Sequence, residues 1–136
     1  MDTISSRLGG LLIDVSLKSA AQLGKHSPKG RSLRSELEVT PDVQYVEGSN
    51  EIRHRLDVIR SKRFSGRRPI CIYIHGGGFR ILSKDSHWMM SAFLAHQGFC
   101  VFSLNYGLAP KYQFPEGLGD VLTAVEWIAD HASEHG

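Results

Sequence analysis

The spacing of apolar positions first predicts a helical segment near the N-terminus. Residues 3–24 fit an amphipathic helix that Gly24 can end. Its apolar face is formed by Ile4, Leu8, Leu11, Leu12 and Val15. Residues 25–37 are basic and polar and contain Pro28 and Gly30, so they predict a loop.

Four short segments then predict strands. Residues 43–46 and 55–60 flank a turn at residues 48–50 and predict the first two. Residues 70–74 form an apolar run that predicts a fully buried strand, and residues 99–104 predict another of the same kind.

A helix is predicted between the two most apolar strands. It covers residues 83–97, with Ser83 or Asp85 as its cap and Gly98 after its end. Its inner face is predicted to be Met89, Met90, Phe93 and Leu94. Two apolar strands joined by a helix imply a parallel pair with helices on both faces, which predicts an α/β fold.

A second long helix follows a loop at residues 106–114. Pro115 starts this helix, and apolar residues at helical spacing predict a stripe that faces a core. The members of the stripe are Leu118, Val121, Leu122, Val125, Ile128, Ala129 and Ala132.

Composition narrows the class of protein. The 136 residues fit one small domain, and 41% of them are hydrophobic, which suffices for a core. A net charge of +2 gives no support to nucleic-acid binding. No apolar stretch is long enough for a membrane span, and Asp14 interrupts the N-terminal apolar residues, which is untypical of a secretory signal.

Both cysteines stand near the start of predicted apolar strands. Cys71 and Cys100 therefore predict buried, reduced thiols and a cytoplasmic protein. A redox pair formed by the two thiols is the alternative.

The most informative segment is the glycine turn His75-Gly76-Gly77-Gly78-Phe79 between a predicted strand and a predicted helix. Glycines let backbone N–H groups point into open space, where they can hold a negatively charged oxygen. A strand–HGGG–helix element is one half of the oxyanion hole in lipases and esterases. The alternative is a tight connection without chemistry. A phosphate-binding turn does not fit, because Ile81 stands where its third glycine belongs.

Two other groups of residues were weighed as sites. His131, Glu134 and His135 spell the inverted zinc-protease signature, but they lie off the apolar stripe and predict a solvated helix end rather than a metal site. Ser83 and His87 could touch on one helix, but Asp85 points elsewhere, so we interpret their spacing as coincidence.

Several motifs together resemble a known family. The glycine turn is followed by Asn105-Tyr106-Gly107-Leu108-Ala109-Pro110, Phe114-Pro115, Asp120-Val121 and Trp127. In order and spacing these motifs resemble the hormone-sensitive-lipase branch of the α/β-hydrolases over residues 40–136. The resemblance implies a cap-like helix and loop at residues 1–38, followed at residues 39–136 by the N-terminal part of a mostly parallel hydrolase sheet.

The resemblance implies hydrolysis of small carboxylic esters by a Ser-His-Asp triad, without metal or cofactor. The backbone N–H groups of Gly77 and Gly78 would bind the oxyanion, and Gly76 would allow the tight turn. His75 would brace the loop, and Phe79 would lie near the acyl pocket.

The sequence departs from the family pattern at two positions. Gly107 stands where the family usually has arginine, and Gly119 stands where an acidic residue commonly precedes the aspartate. A missing ion-pair partner would loosen residues 106–115.

The largest departure is that no G-x-S-x-G occurs in the 136 residues. We therefore expect the N-terminal portion of a hydrolase, inactive alone and in need of a complementary C-terminal hydrolase segment. Without that segment, residues 70–74 would form an exposed strand edge that promotes self-association. The alternative function is a non-catalytic interaction module or the remnant of a truncated hydrolase.

Overall fold

The computed structural model describes residues 4–135, with side-chain surroundings from residue 9 onward; the predicted contributions of Ile4 and Leu8 lie outside this description. Its elements are α1 (Ile4–His26), α2 (Pro28–Ser35), β1 (Leu37–Gln44), a 3-10 turn (Ile52–His54), β2 (Arg55–Ser61), β3 (Ile70–Ile74), α3 (Trp88–His96), β4 (Cys100–Leu104) and α4 (Glu116–His135). None of the described helices is both long and apolar enough to cross a membrane.

The strands form one sheet in the order β1-β2-β4-β3. β3 and β4 are parallel, with Ile70 opposite Cys100 and Ile74 opposite Leu104. β2 runs antiparallel to both of its neighbours. The α/β class and the parallel pair are confirmed, but the sheet of residues 4–135 is mixed rather than mostly parallel.

Helices cover both faces of the sheet, as predicted. On one face Leu56, Phe102 and Leu104 pack with Ala124 and Ile128 of α4. On the other face the core residues include Ile59, Val101, Trp88, Ala92 and Ala95, the last three from α3. Each strand contributes to both clusters because successive side chains point to opposite faces.

The same alternation separates the two cysteines. Cys100 belongs to the core on the α4 face, whereas Cys71 packs against the core on the α3 face. Both thiols are free, and the redox pair is excluded by this geometry. Cys71 is half-buried rather than buried.

The predicted inner faces of the two long helices are partly wrong. α3 begins at Trp88, not Ser83, and it exposes Met89, Met90 and Phe93. It instead buries Trp88 and the small residues Ser91, Ala92 and Ala95. α4 likewise buries Asp120, Ala124 and Ile128, and it exposes Leu118, Leu122 and Val125.

The predicted loop at residues 25–37 contains a helix, α2. The hydroxyl of Ser27 accepts a hydrogen bond from the Gly30 amide at 3.1 Å, and Pro28 occupies the first turn. α1 and α2 pack so closely that a Cβ on Gly30 would lie 2.0 Å from the Gly24 carbonyl oxygen.

The prediction that residues 70–74 form a fully buried strand is also wrong. Within residues 4–135, only β4 pairs with β3, and Ile70 and Ile74 are 42% and 47% exposed. The edge is bordered by exposed apolar side chains of the following segments, including Phe114 and Leu118.

Phe102 tests where the core lies. We expect Phe102→Ala to lower the free energy of unfolding by about 3–5 kcal/mol, because the ring is fully buried in the central strand. The matched control Phe93→Ala removes a ring that is 58% exposed and should change stability by less than about 1 kcal/mol. Urea unfolding monitored by circular dichroism measures the free energy of unfolding of both variants. Equal losses of stability would contradict the assignment of Phe102 to the core.

Candidate active site

The glycine turn begins directly after β3, and its backbone conformation requires glycine at one position above all. Gly77 has φ +126°, and a Cβ there would lie 2.1 Å from the Ile81 carbonyl oxygen. Gly78 has φ +62° but opens onto empty space. Gly76 has neither a positive φ nor a close neighbour, so the tight turn depends on Gly77 and Gly78 instead.

The carbonyl groups of the turn are engaged, whereas key amides are not. The amides of Arg80 and Ile81 both donate to Gly77 O at 3.2 Å, and the amide of Ala109 donates to Phe79 O at 2.9 Å. Among residues 4–135, the Gly77 and Gly78 amides donate no hydrogen bond. Two unpaired donors on adjacent residues can bind a negatively charged oxygen.

His75 is buried at the base of this turn. Its ring stacks on Tyr106 with centroids 4.7 Å apart, and its Nδ1 lies 2.8 Å from Gly76 O. The hydroxyl of Tyr106 donates to His75 O at 2.9 Å. Burial lowers the pKa of His75, with smaller contributions from His87 and Lys18, so the neutral imidazole is favoured.

Asn105 connects the turn to the neighbouring segments. Its side-chain Oδ1 accepts from the Lys84 amide at 2.9 Å, and its Nδ2 donates to Ile52 O at 3.2 Å. Because Asn105 directly follows β4, it fixes both the segment after the glycine turn and the 3-10 turn relative to the sheet.

Lys84 adds a buried cation beside this connection. Its ammonium lies 2.8 Å from Asp57 and 2.9 Å from Asp42, and its side chain is 2% exposed. Burial alone would lower the pKa of Lys84, but the hydrogen bonds that its ammonium donates to the Asp57 and Asp42 carboxylates outweigh burial, and the pKa is raised. The bulged part of β1 is thereby joined to the segment that follows the glycine turn.

Asp120 organises the loop after β4. Its buried carboxylate accepts from the Gly107 amide at 2.8 Å and the Arg53 guanidinium at 3.0 Å, and it lies 3.1 Å from His54 Nε2. The same guanidinium lies 4.2 Å from the centre of the Tyr112 ring. The prediction that an ion-pair partner would be missing, because Gly107 replaces the family's arginine, is therefore wrong. Arg53, from another segment of the chain, supplies the positive charge that pairs with Asp120.

An apolar cavity of about 500 Å³ opens beside the glycine turn. It is lined by side chains from the strand end, the turn, the loop and α4, among them Ile74, Phe79, Tyr106, Phe114 and Val121. Phe79 is 74% exposed and has φ +60°, so its ring stands at the mouth of the cavity rather than in the core.

The other sequence candidates do not form a catalytic group. The ring of His131 stacks on Trp127 with centroids 4.2 Å apart, and its Nδ1 lies 2.8 Å from Trp127 O. His87 Nδ1 lies within reach of Ser86 and the Ser83 carbonyl, not of the Ser83 hydroxyl. No cluster of metal-ligating side chains occurs among the described residues.

Sequence reasoning missed Arg53, Tyr112 and Lys84. Each acts on residues that are distant in the chain, and no motif marks them.

Comparison with known proteins identifies a family for residues 71–136. A family model described as alpha/beta hydrolase fold matches residues 71–136. Arylacetamide deacetylase from Bos taurus is 43% identical over 84 residues, which are 60% of this chain and 21% of that protein. Tuliposide A-converting enzyme 2 from Tulipa gesneriana is 33% identical over 72 residues, which are 51% of this chain and 19% of that protein.

Solved structures show the same fold. An inhibited esterase B from Lactobacillus rhamnosis superposes with a TM-score of 0.82 at 18% identity, over 98% of this chain and 41% of that one. An esterase from Pyrobaculum calidifontis superposes with a TM-score of 0.68 at 26% identity, over 93% of this chain and 39% of that one. Residues 71–136 belong to the α/β-hydrolase family, as the resemblance predicted. The chain spans about a fifth of the length of the curated relatives it matches.

Gly107 tests the packing around Asp120. A Cβ there would lie 2.9 Å from the Tyr112 Cβ and 3.0 Å from Asp120 Oδ2, so we expect Gly107→Ala to destabilise the protein by about 1–3 kcal/mol. Gly119→Ala is the control: its helical Cβ meets nothing within 4 Å and should stabilise by up to about 1 kcal/mol. Thermal unfolding measures both, and a neutral Gly107→Ala would contradict the close packing.

Proposed function

We propose that this chain supplies the oxyanion-binding part of a carboxylic ester hydrolase. The observation that carries the proposal is the pair of unengaged amides at Gly77 and Gly78, in a turn whose flanking residues Ile74 and Phe79 line the apolar cavity. Such donors stabilise the charge that develops on an attacked ester carbonyl.

The neighbouring residues receive supporting roles. Gly76 leads from β3 into the turn, where neither its φ nor its surroundings exclude a side chain. His75 braces the turn through its stacking on Tyr106, and its neutral, buried imidazole does not serve as the general base. Phe79 contacts the acyl group of a small ester substrate, which the apolar cavity can enclose.

The nucleophile, the base and its orienting acid would come from a complementary hydrolase segment, because no G-x-S-x-G occurs in these 136 residues. The edge of β3 and the exposed apolar residues of α4 offer that segment a surface. Residues 1–38 would form a cap-like unit and residues 39–136 part of the hydrolase core. The free thiols support a cytoplasmic setting, and the mechanism requires no metal or cofactor.

Transplantation tests the oxyanion role. Residues 71–136 replace the matching segment of bovine arylacetamide deacetylase, and hydrolysis of a short-acyl p-nitrophenyl ester is measured. We expect an active chimera whose kcat falls about 100-fold or more with Gly77→Ala, because the displaced turn misdirects its amides. Gly76→Ala is the matched control and should retain activity within a few-fold.

The isolated chain should hydrolyse no ester above background. A folded but inactive chimera would contradict the oxyanion role and favour a non-catalytic interaction module, and activity of the isolated chain would contradict the need for a complementary segment.

The exposed strand edge gives a second test. In size-exclusion chromatography we expect the purified chain to self-associate, because Ile70–Ile74 presents unpaired backbone and apolar side chains. Ile74→Lys should shift it toward the monomer, whereas Met89→Lys, on exposed α3 surface, should not. A cooperatively melting wild-type monomer would refute the proposed association.

A further inference from the structure

The N-terminal helices carry a concentrated positive charge. Residues 1–35 contain six lysines and arginines against two acidic residues, whereas residues 36–136 contain ten against twelve. This asymmetry is hidden in the nearly neutral net charge of the whole chain. It indicates a local affinity for anions.

Four of these basic residues have no carboxylate partner among the described residues. We name Lys25, Lys29, Arg31 and Arg34 the basic cluster. In the described part of the chain, ion pairs engage the basic groups of the sheet region, such as Arg53, Arg60 and Lys84, but no member of the basic cluster. Three of its members and His26 line a surface cavity of about 410 Å³ between α1, α2 and β1, with no acidic residue in the lining.

α1 also presents an apolar stripe to solvent. The stripe consists of Leu11, Leu12, Val15 and Leu23, which are 61%, 63%, 54% and 75% exposed. At 3.6 residues per turn these positions share about one third of the helix circumference. α1 touches the body along a narrow strip, where Asp14 Oδ1 accepts from the Leu82 amide at 2.8 Å and Ala21 O accepts from Trp88 Nε1 at 3.1 Å. Ile13 and Leu17, outside both the stripe and this strip, are also 53% and 46% exposed.

The stripe and the cavity adjoin each other. His26 follows Val15 by eleven residues, or about three helical turns, so it continues the stripe at the C-terminal end of α1. His26 also lines the basic cavity. Exposed apolar side chains of α1 therefore adjoin cations that have no carboxylate partner among the described residues.

We propose that α1 and α2 dock on an anionic phospholipid surface. The apolar stripe enters the interface between headgroups and acyl chains, and the basic cluster binds lipid phosphates. A free phosphate would need only the cavity; the exposed leucines beside it favour a lipid. The helix would lie in the plane of the membrane surface, since none of the described helices can span a bilayer.

Vesicle co-sedimentation tests the proposal on the complete chain. We expect binding to phosphatidylcholine vesicles that contain phosphatidylserine, weaker binding to phosphatidylcholine alone, and a decline with rising salt. Lys29→Gln with Arg31→Gln should lower the partition coefficient by about 25-fold, at about five-fold per charge. Arg67→Gln, an exposed arginine outside the cluster, should leave it unchanged.

The apolar stripe is tested separately. Leu12→Ser with Leu23→Ser should reduce binding at least about ten-fold, whereas Met89→Ser, on exposed α3 surface, should not. All these side chains are exposed, so thermal melts should match that of the wild type.

Three results would overturn the proposal. One is equal binding to neutral and anionic vesicles. Another is an equal loss of vesicle binding in the variants and in their controls. The third is protection of the basic cluster by inorganic phosphate without vesicle binding, which would assign a free-anion site instead.

Discussion

The parallel pairing of β3 and β4 is the constraint on which the candidate site depends. Ile74 lies opposite Leu104, so the glycine turn and the Asn105 loop leave the sheet at the same level and edge. Ligand sites in α/β sheets form at this edge, because the loops that follow the strands meet there. Hydrogen bonds from Tyr106 to His75 O and from Ala109 to Phe79 O then hold the two loops together.

Two buried ions fix the surroundings of these loops. Asp120 gathers Arg53, His54 and the Gly107 amide, and Lys84 gathers carboxylates from β1 and β2. Removing one partner of such a group would leave an uncompensated buried charge, so these contacts enforce one arrangement of the loops. The amides of Gly77 and Gly78 can remain unengaged because neighbouring residues donate hydrogen bonds to other backbone groups of the glycine turn.

The two exposed apolar surfaces differ in chemistry. Among the described residues, no charged side chain lines the cavity beside Phe79, and only β4 pairs with β3, whose Ile74 lines the cavity. Such a strand edge suits a protein segment that adds a strand. The stripe on α1 instead adjoins unpaired cations and offers no strand edge, which suits a charged lipid surface. The two proposed contacts therefore use different surfaces of the chain.

The sequence by itself determined the α/β class, the strand–helix–strand unit, the long C-terminal helix and the glycine turn, because local periodicity and glycine spacing encode them. It did not determine which helix face is buried: α3 packs through Trp88, Ala92 and Ala95, whereas the predicted Met89, Met90 and Phe93 are exposed. Nor did it show that Arg53 supplies the charge absent at residue 107. Only the tertiary structure decided these points, because they depend on residues that folding brings together from distant parts of the chain.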